Sequence, residues 1–208
     1  MGRPTGSRNA DYVEKRKSLA MAVMGCLLKP DGHRVSLREL AQTAEVSVPT
    51  MRHYFGDRDG VIQAALEAMK DIGAYHNDRA AQQHTDLPLE ESLHWVLKEF
   101  ATGWLRGVGQ IVTAGILVGA NSDHLGPAFI DGTLEPTLQA FERRILHHQG
   151  LGQIDPKADA RNASLALVCP VILGLLHQQQ LRGATCRELD LDAFLEEHVR
   201  RFVRGWKT

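Results

Sequence analysis

Cysteines, aromatic residues and long apolar runs are all scarce in this 208-residue sequence, and the shortages exclude several classes of protein. The three cysteines, Cys26, Cys169 and Cys186, are too few and too scattered for a disulfide framework or a zinc site. The longest apolar run, 111–120, is interrupted by Thr113 and falls far short of the roughly 20 residues that span a bilayer. The first residues include no apolar segment of the kind that directs export. We therefore expect a cytoplasmic protein with no membrane partner.

The net charge is also small, at −1, and gives no indication of a nucleic-acid partner. Its distribution is more informative. Residues 1–60 carry 10 basic and 7 acidic side chains, whereas residues 61–208 carry 14 basic and 18 acidic ones. A mildly basic N-terminal part on an acidic body is weak support for polyanion binding by the N-terminal part.

Sequence patterns for catalysis and metal binding are missing. Ten histidines are present, but His147 and His148 are adjacent and therefore point to different faces of a helix. No histidine pair four residues apart joins with a carboxylate in a metal-binding signature, and no nucleophile elbow or phosphate-binding loop is found. We expect no enzyme activity, no bound metal and no cofactor.

Apolar residues recur at helical spacing through almost the whole chain, which predicts an all-α fold. The first apolar stripe runs from Leu19 to Leu28 and ends at Lys29–Gly32, which contains a proline and a glycine. Further helices are predicted, between breaks that carry glycine or proline, over residues 58–79, 88–106, 108–121, 127–148, 156–181 and 191–206.

Two short helices are predicted between residues 36 and 55. Ser36 and Glu39 have the spacing of a capping box, and Ser47 can cap the second helix, with Pro49 in its first turn. Two short helices joined by a tight turn form the helix-turn-helix unit, whose second helix enters the major groove of DNA. The alternative interpretation is a small helical bundle with a solvated polar face.

The residues of this region make the first interpretation more specific. The relevant stretches are Val35–Ala41, Ala44–Phe55 and Asp57–Asp59. They resemble the DNA-binding signature of the tetracycline-repressor (TetR) family, and the resemblance covers roughly residues 12–66. Two positions depart from the family pattern: Glu45 replaces the usual turn glycine, and Arg52 stands where tyrosine is usual. The resemblance therefore implies altered base or phosphate contacts at Arg52.

The predicted DNA-binding domain covers residues 1–60. Free N–H groups at the two helix starts favour phosphate binding, Arg52 can read guanine or hold a phosphate, and Arg58 is expected to hold a phosphate. A basic arm, Gly2–Arg8, is interpreted either as a minor-groove contact or as a disordered terminus. The predicted contact residues are Arg3, Arg8, Ser36, Arg38, Ser47, Val48, Pro49, Thr50, Arg52, His53, Tyr54 and Arg58.

For residues 61–208 the resemblance implies an all-helical body that binds an effector and pairs with a second copy. The helices predicted over 156–181 and 191–206 are expected to build the dimer interface, unless their apolar stripes pack only within the monomer. The predicted interface residues are Leu165, Val168, Ile172, Leu175, Leu176, Phe194, Leu195, Val199 and Phe202.

Apolar and aromatic side chains in the central helices indicate a candidate effector site, although core packing is the commoner explanation for any one of them. The candidates are Trp95, Phe100, Trp104, Ile111, Thr113, Leu117, Phe129, Phe141, Cys169 and His177, with Gln110 and Asn121 as further polar candidates.

Together these features predict a ligand-responsive transcriptional regulator, most often a repressor in the resembled family. It binds a near-palindromic double-stranded DNA operator as a homodimer, and a small apolar or amphipathic effector releases it. One alternative is a helix-turn-helix protein without small-molecule control. The other is a helical adaptor or enzyme that resembles the family only in its N-terminal part.

Overall fold

The computed structural model describes residues 5–29 and 31–207 and confirms the predicted all-α fold. None of these described residues lies in a strand. The α-helices are α1 (Thr5–Ala22), α2 (Met24–Leu27), α3 (Leu37–Thr43), α4 (Val48–Phe55), α5 (Arg58–Gln82), α6 (Leu89–Gly103), α7 (Gly109–Gly119), α8 (Leu125–Phe129), α9 (Glu135–Gly150), α10 (Ala160–Leu175) and α11 (Leu191–Trp206). Short 3₁₀ turns occupy Gly32–Arg34 and Gly183–Thr185, and π-helical turns occupy Trp104–Val108, Ile130–Leu134 and Leu176–Gln180.

Helix α11 begins and ends at the predicted residues, whereas several other boundaries differ from the prediction, two of them for a clear local reason. Pro156 lies in a turn, and α10 begins at Ala160 because the Asp159 side chain accepts a hydrogen bond from the Asn162 N–H group. The predicted break at Gly126–Pro127 lies inside α8. This proline is tolerated because it occupies the first turn, where a missing N–H group costs nothing.

The chain forms two compact units. The first contains the chain up to Ile72 together with Ala114–Thr133, and the second contains Gly73–Thr113 with the chain from Leu134 onward. This division by packing differs from the predicted division by function, because Ala114–Thr133 packs with the N-terminal helices. The functional boundary at residue 60 stays a prediction.

Apolar side chains from four helices form the core of the first unit. Leu19 of α1, Val23 directly after α1, and Leu40 of α3 are at most 2% exposed. Met51 of α4 and Ile62 of α5 are at most 1% exposed. Burial of each such side chain contributes roughly 1.5–3 kcal/mol, so the core holds α3 and α4 firmly within this unit.

Two glycines allow the segment Ala114–Thr133 to approach its neighbours closely. A Cβ atom at Gly115 would come within 2.2 Å of the Phe129 ring, and one at Gly132 would come within 2.9 Å of the Leu66 carbonyl. Side chains at these positions would displace an aromatic ring or a helix backbone. The Gly115 contact therefore packs α7 closely against the end of α8, and the Gly132 contact packs the following turn closely against α5.

In the second unit, α10 packs against α6, α9 and α11. Its core includes Leu97, Phe141, Leu167 and Val199, which are at most 1% exposed. By length and mean hydropathy, 1.4 over its most apolar window, the helical segment Ala160–Gln180 could also cross a membrane. The core helix of a soluble protein passes the same test, and the packing around α10 is that of a core helix.

A buried arginine holds the end of α5 in the second unit. Arg144 is 0% exposed. Its Nε donates to the Ala80 carbonyl at 2.7 Å, its Nη2 donates to the Gln83 carbonyl, and its Nη1 donates to Ser92 Oγ at 2.6 Å. Burial lowers the pKa of Arg144 to about 10, which leaves it charged at neutral pH. The last carbonyls of a helix lack partners and carry partial negative charge, so this cation caps α5.

A buried histidine continues this hydrogen-bond network. Ser92 Oγ lies 2.8 Å from His148 Nε2, and His148 Nδ1 lies 2.5 Å from Gln153 Oε1. Because Ser92 accepts from Arg144, its own proton is available to His148 Nε2, and the neutral ring carries its proton on Nδ1. Burial lowers the pKa of His148 below its ordinary value.

Candidate nucleic-acid interface

A capping box fixes the start of α3, as the sequence predicts. Ser36 Oγ accepts a hydrogen bond from the Glu39 N–H group at 3.3 Å, and the Glu39 carboxylate accepts one from the Ser36 N–H group at 2.7 Å. Hydrogen bonds from the Ser36 hydroxyl, and then from its backbone, lower the pKa of Glu39 below its usual value. Helix α3 therefore begins at a defined residue, while Leu40 and Ala41 are buried.

The turn between α3 and α4 requires left-handed backbone at Glu45, whose φ is 55°. The next residue, Val46, donates its N–H group to the Ala41 carbonyl at 3.0 Å and closes the end of α3. Glycine adopts a positive φ without strain, whereas a residue with a Cβ atom does so at a cost of roughly 1 kcal/mol. Glu45 thus keeps the turn geometry expected of glycine, at the expense of local strain.

Ser47 caps α4. The Thr50 N–H group donates to Ser47 Oγ at 3.1 Å, and the two hydroxyl oxygens lie 2.8 Å apart. Met51 is fully buried and attaches the helix to the core. Gly56, with a φ of 79°, ends the helix by donating its N–H group to the Arg52 carbonyl at 2.9 Å. Helices α3 and α4 therefore have helix-turn-helix geometry, with both N-caps exposed.

The exposed surface of this motif includes two arginines without a direct partner among the described residues. Arg38 of α3 and Arg52 of α4 are exposed, and neither guanidinium forms a hydrogen bond or ion pair with a residue that the structure describes. Both groups are therefore available to an external phosphate or base. The motif brings together nine residues of the predicted set, namely Ser36, Arg38, Ser47, Val48, Pro49, Thr50, Arg52, His53 and Tyr54.

Helix α1 contributes Tyr12, which is not among the predicted DNA-contact residues. The Tyr12 ring stacks on Tyr54 with a centroid distance of 4.9 Å and meets the His53 ring edge-on at 5.9 Å. One turn further along α1, the Arg16 guanidinium lies over the Phe55 ring, 5.3 Å from its centroid. The four-residue spacing of Tyr12 and Arg16, which places them on one helix face, was the available sequence signal.

Arg58, which the sequence predicts to hold a phosphate, has hydrogen-bond partners within the chain, and its phosphate role stays a prediction. Its Nε donates to the Val35 carbonyl and its Nη2 to the His33 carbonyl, each at 2.6 Å. Its Nη1 pairs with Asp59 at 2.8 Å. The guanidinium is therefore engaged inside the protein, by two carbonyls of the tight turn before α3 and by a neighbouring carboxylate. Arg58 positions the residues that lead into α3 and is not a free surface cation.

The predicted N-terminal arm also needs a correction. Helix α1 begins at Thr5, so the second half of Gly2–Arg8 is helical backbone and not a flexible arm. Helix propagation is favourable once a helix has nucleated, and no proline follows Pro4 until Pro30. Arg3 lies outside the described residues, and a minor-groove role for Arg8 stays a prediction.

The predicted effector residues are divided between the two units, and an effector site made from them stays a prediction. Leu117 and Phe129 belong to the first unit, whereas the other eight belong to the second. In the second unit, the Phe100 ring lies 6.2 Å from Trp104 and 5.9 Å from Phe141 between centroids. Trp104 and Phe141 are each 1% exposed, so these rings fill the core.

The other effector candidates of the second unit differ in burial and in the groups that they contact. Thr113 Oγ1 donates to the Gly109 carbonyl at 2.7 Å within its helix. Cys169 and His177 are exposed, Ile111 is half-buried, and the half-buried Trp95 lies beneath the Arg144 guanidinium at 5.5 Å. Apolar periodicity predicted that many of these side chains would be buried, but burial alone does not imply a cavity.

The predicted dimer residues need a similar correction. Five of them are already buried within a single chain, because the stripes of α10 and α11 face other helices of the second unit: Val168, Leu175, Leu195, Val199 and Phe202. The other four, Leu165, Ile172, Leu176 and Phe194, are half-buried. The strongest apolar stripe on each helix therefore faces the core of the monomer.

A second apolar face of α10 is exposed. It contains Ala166, Cys169, Pro170 and Leu173, which recur at helical spacing, and Leu173 is 64% exposed. The exposed face of α11 is charged, with Glu196 and Glu197 paired to Arg200 at 2.8 and 2.5 Å. Of these two helices, α10 is therefore the one that offers apolar surface to another chain.

No family model and no curated protein sequence matches the chain, but solved structures match it over nearly its full length. A transcriptional regulator of the TetR/AcrR family from Thermobifida fusca is 17% identical with a TM-score of 0.57, and the match covers 95% of this chain and 100% of that one. FadR from Bacillus subtilis, in complex with stearoyl-CoA, is 13% identical with a TM-score of 0.67, over 93% and 98% of the two chains. SmeT, the repressor of the Stenotrophomonas maltophilia multidrug efflux pump SmeDEF, is 17% identical with a TM-score of 0.61, over 93% and 90%. The chain has the fold of the TetR-family transcriptional regulators.

Proposed function

We propose that this protein is a transcriptional regulator that binds a DNA operator with α3 and α4. The observation that carries the proposal is the pair of exposed guanidinium groups, Arg38 and Arg52, on a hydrogen-bonded helix-turn-helix. Cations on such a surface supply much of the affinity for DNA by displacing counterions from phosphates. The similar structures support the proposal, since the three described above are transcriptional regulators.

Helix α4 enters the major groove, and α3 crosses the phosphate backbone. Arg52, exposed and without a partner among the described residues, donates two parallel hydrogen bonds to the O6 and N7 atoms of a guanine. The N-terminus of α4 at Ser47 presents N–H groups to a phosphate. His53 is oriented by the rings of Tyr12 and Tyr54 and contacts the backbone beside the base that Arg52 reads.

The regulator acts as a homodimer on a near-palindromic operator, because a two-fold symmetric dimer presents two identical recognition helices. The exposed face of α10 forms the contact. Ala166, Cys169 and Pro170 are small and allow the two helices to approach, while Leu173 supplies the main apolar side chain. Burial of this face stabilises the dimer by about 25 cal/mol for each Å² of apolar surface.

The protein works in the cytoplasm as a repressor, and a small apolar or amphipathic molecule releases it from DNA. FadR from Bacillus subtilis was solved with stearoyl-CoA, and SmeT is a repressor, which supports both parts of this proposal. The effector acts only if it prefers the released conformation. A 100-fold loss of operator affinity requires about 2.7 kcal/mol of coupling between the two sites.

Footprinting of the purified protein on the DNA upstream of its own gene tests the proposal. We expect protection of an inverted repeat by the wild type and no protection by the double variant Arg38→Glu, Arg52→Glu. Reversal of both charges places carboxylates against phosphates, so binding to any DNA is weakened.

The matched control is Arg106→Glu, because Arg106 is exposed and lies on the π-helical turn of the second unit. This variant should protect the same repeat as the wild type. Binding by the double variant that equals wild-type binding would show that α3 and α4 are not the DNA-binding surface. If the wild type protects no specific sequence on genomic fragments, the proposal that the protein is a transcriptional regulator is contradicted.

A further inference from the structure

A cavity of about 460 Å³ lies within the first unit, directly beside the helix-turn-helix. Its walls come from the turn before α3, the start of α5, the end of α7 and the start of α8. Known small-molecule sites have volumes of about 300–1,000 Å³, so this cavity has the size of a ligand site. Leu117 and Asn121, which were candidate effector residues, lie on its wall.

The polar side of the cavity carries one uncompensated positive charge. The Arg58 guanidinium on the wall is paired with Asp59 and with two backbone carbonyls. Arg34 also lines the cavity, is exposed, and forms no side-chain hydrogen bond or ion pair with the described residues. An anion beside Arg34 would therefore find a free guanidinium, whose planar fork matches a carboxylate.

The opposite side of the cavity combines apolar side chains with a hydroxyl group. Leu117, Val118 and Leu125 supply aliphatic surface from α7 and α8. Ser122 Oγ accepts a hydrogen bond from the Leu125 N–H group at 3.3 Å, so its own proton is available to another acceptor. The lining thus offers a cation, a hydroxyl donor and an apolar wall to one small molecule.

We propose that this cavity binds a small carboxylate with an apolar body, and that its occupancy controls the helix-turn-helix. The carboxylate pairs with Arg34 and accepts from Ser122, and the apolar body lies against Leu117, Val118 and Leu125.

Arg58 connects the cavity to the DNA-binding surface. The two carbonyls that it holds belong to His33 and Val35, and Val35 directly precedes the N-cap of α3, Ser36. Arg34 lies between His33 and Val35, so a carboxylate paired with Arg34 changes the hydrogen bonding of this turn and therefore the position of α3. This regulatory part of the inference rests on the proposed DNA binding, whereas the binding part does not.

Calorimetric titration of the full-length protein with phenylacetate, and with the isosteric neutral phenylacetamide, tests the binding part. A ligand of this size binds with a Kd of roughly 1 mM or tighter when its contacts are good. We expect phenylacetate to bind at least about tenfold more tightly than phenylacetamide, and Arg34→Gln to remove this difference. Inorganic phosphate, which lacks an apolar body, should bind more weakly than phenylacetate.

Two variants control for indirect effects. Arg106→Gln removes an exposed arginine of the second unit and should bind phenylacetate as the wild type does. Asn121→Phe fills the cavity from its exposed rim and should abolish binding while the unfolding midpoint stays close to that of the wild type. Absence of phenylacetate binding, equal binding of acid and amide, or wild-type binding by Arg34→Gln would each overturn the proposal.

Fluorescence anisotropy with operator DNA tests the regulatory part. Phenylacetate should lower the operator affinity of the wild type and leave that of Arg34→Gln unchanged. If phenylacetate binds through Arg34 but does not change the affinity for DNA, the proposal that the ligand controls the helix-turn-helix is refuted. If no DNA sequence binds but phenylacetate still binds through Arg34, the proposed function fails and the ligand site stands.

Discussion

The two units use arginine in opposite ways. In the first unit, Arg52 is exposed on α4 and has no partner among the described residues. In the second, Arg144 is fully buried, and its guanidinium donates to carbonyls near the C-terminus of α5 and to Ser92. A buried charge is tolerated only when every donor finds an acceptor, whereas an exposed charge is solvated by water and needs none.

The difference in partners distinguishes an arginine that stabilises the fold from one that is available for recognition. Arg144 has its acceptors within the chain and contributes to the folded state. Arg52 has no such acceptor among the described residues, so its donors are available to a molecule outside the chain, and we expect its removal to leave the fold unaffected. Arg58 is intermediate, since it is half-buried and uses its donors to position the turn before α3. The partners of an arginine, and not its identity, therefore indicate its role.

The largest effect is expected from Arg144→Met. The substitution leaves buried carbonyl groups and Ser92 without their donor, so the free energy of unfolding should fall by about 3–5 kcal/mol. Denaturant unfolding at fixed protein concentration measures this loss. Arg143→Met is the matched control, because Arg143 is largely exposed, 3.6 Å from Asp78, and should cost less than about 1 kcal/mol. Equal losses in the two variants would contradict the structural role of Arg144.

Leu173→Glu tests the exposed face of α10. A carboxylate at the centre of an apolar dimer contact lacks a partner, so we expect dimer dissociation to rise by at least 100-fold, about 2.7 kcal/mol. Analytical ultracentrifugation measures the dimer affinity. Leu146→Glu is the matched control, since Leu146 is 52% exposed on α9 and its variant should remain dimeric. A dimer that survives Leu173→Glu would exclude this face.

Arg52→Ala should weaken operator binding without changing stability. If Arg52 reads guanine, the loss is about 1–3 kcal/mol on the cognate operator, and preference relaxes at one base position in each half-site. If it holds a phosphate, affinity falls about equally on all sequences, and the salt dependence decreases by roughly one unit per half-site. Anisotropy titrations on operator variants distinguish the two cases. Unchanged sequence preference in Arg52→Ala would refute base reading.

His148 should make the second unit less stable in mild acid. Because burial places the folded-state pKa below the ordinary 6.5, only the unfolded state takes up a proton as the pH falls below about 6.5. Below about pH 6.5 the free energy of unfolding should therefore fall by up to about 1.4 kcal/mol per pH unit. Above about pH 6.5 His148 should not affect it.

Unfolding midpoints between about pH 7.5 and about pH 5.5 measure this dependence. His148→Gln should lose it, whereas His147→Gln, which removes an exposed neighbour, should keep it. An identical pH dependence in wild type and His148→Gln would show that another group is responsible. Glu39 does not interfere, because its lowered pKa places its titration at more acidic pH.

The smallest effect is expected at Glu45. Glu45→Gly removes the strain of a φ of 55° and should raise the free energy of unfolding by up to about 1 kcal/mol. Glu45→Ala keeps a Cβ atom and should change it little. Thermal and denaturant unfolding of both variants provide the comparison. A glycine variant no more stable than the alanine variant would show that the turn is unstrained.

Local patterns predicted much of the helix-turn-helix. Ser36 and Glu39 form the predicted capping box, Ser47 caps α4, and α11 has its predicted bounds. These features depend on interactions between residues at most four positions apart, which a sequence shows directly. Tyr12 was missed because its partners, His53 and Tyr54, are distant in the chain and become neighbours only after folding.

The sequence by itself determined the helical class, the caps and the turn, because hydrogen bonds and apolar periodicity within a few residues specify them. Tertiary structure decided which apolar face of α10 is buried, and left Leu173 outside while Val168 entered the core. It also gave Arg58 and Arg144 their internal acceptors and formed the cavity beside α3. Each of these outcomes depends on which distant segments meet, and helical periodicity shows that a face will be buried without showing what will cover it.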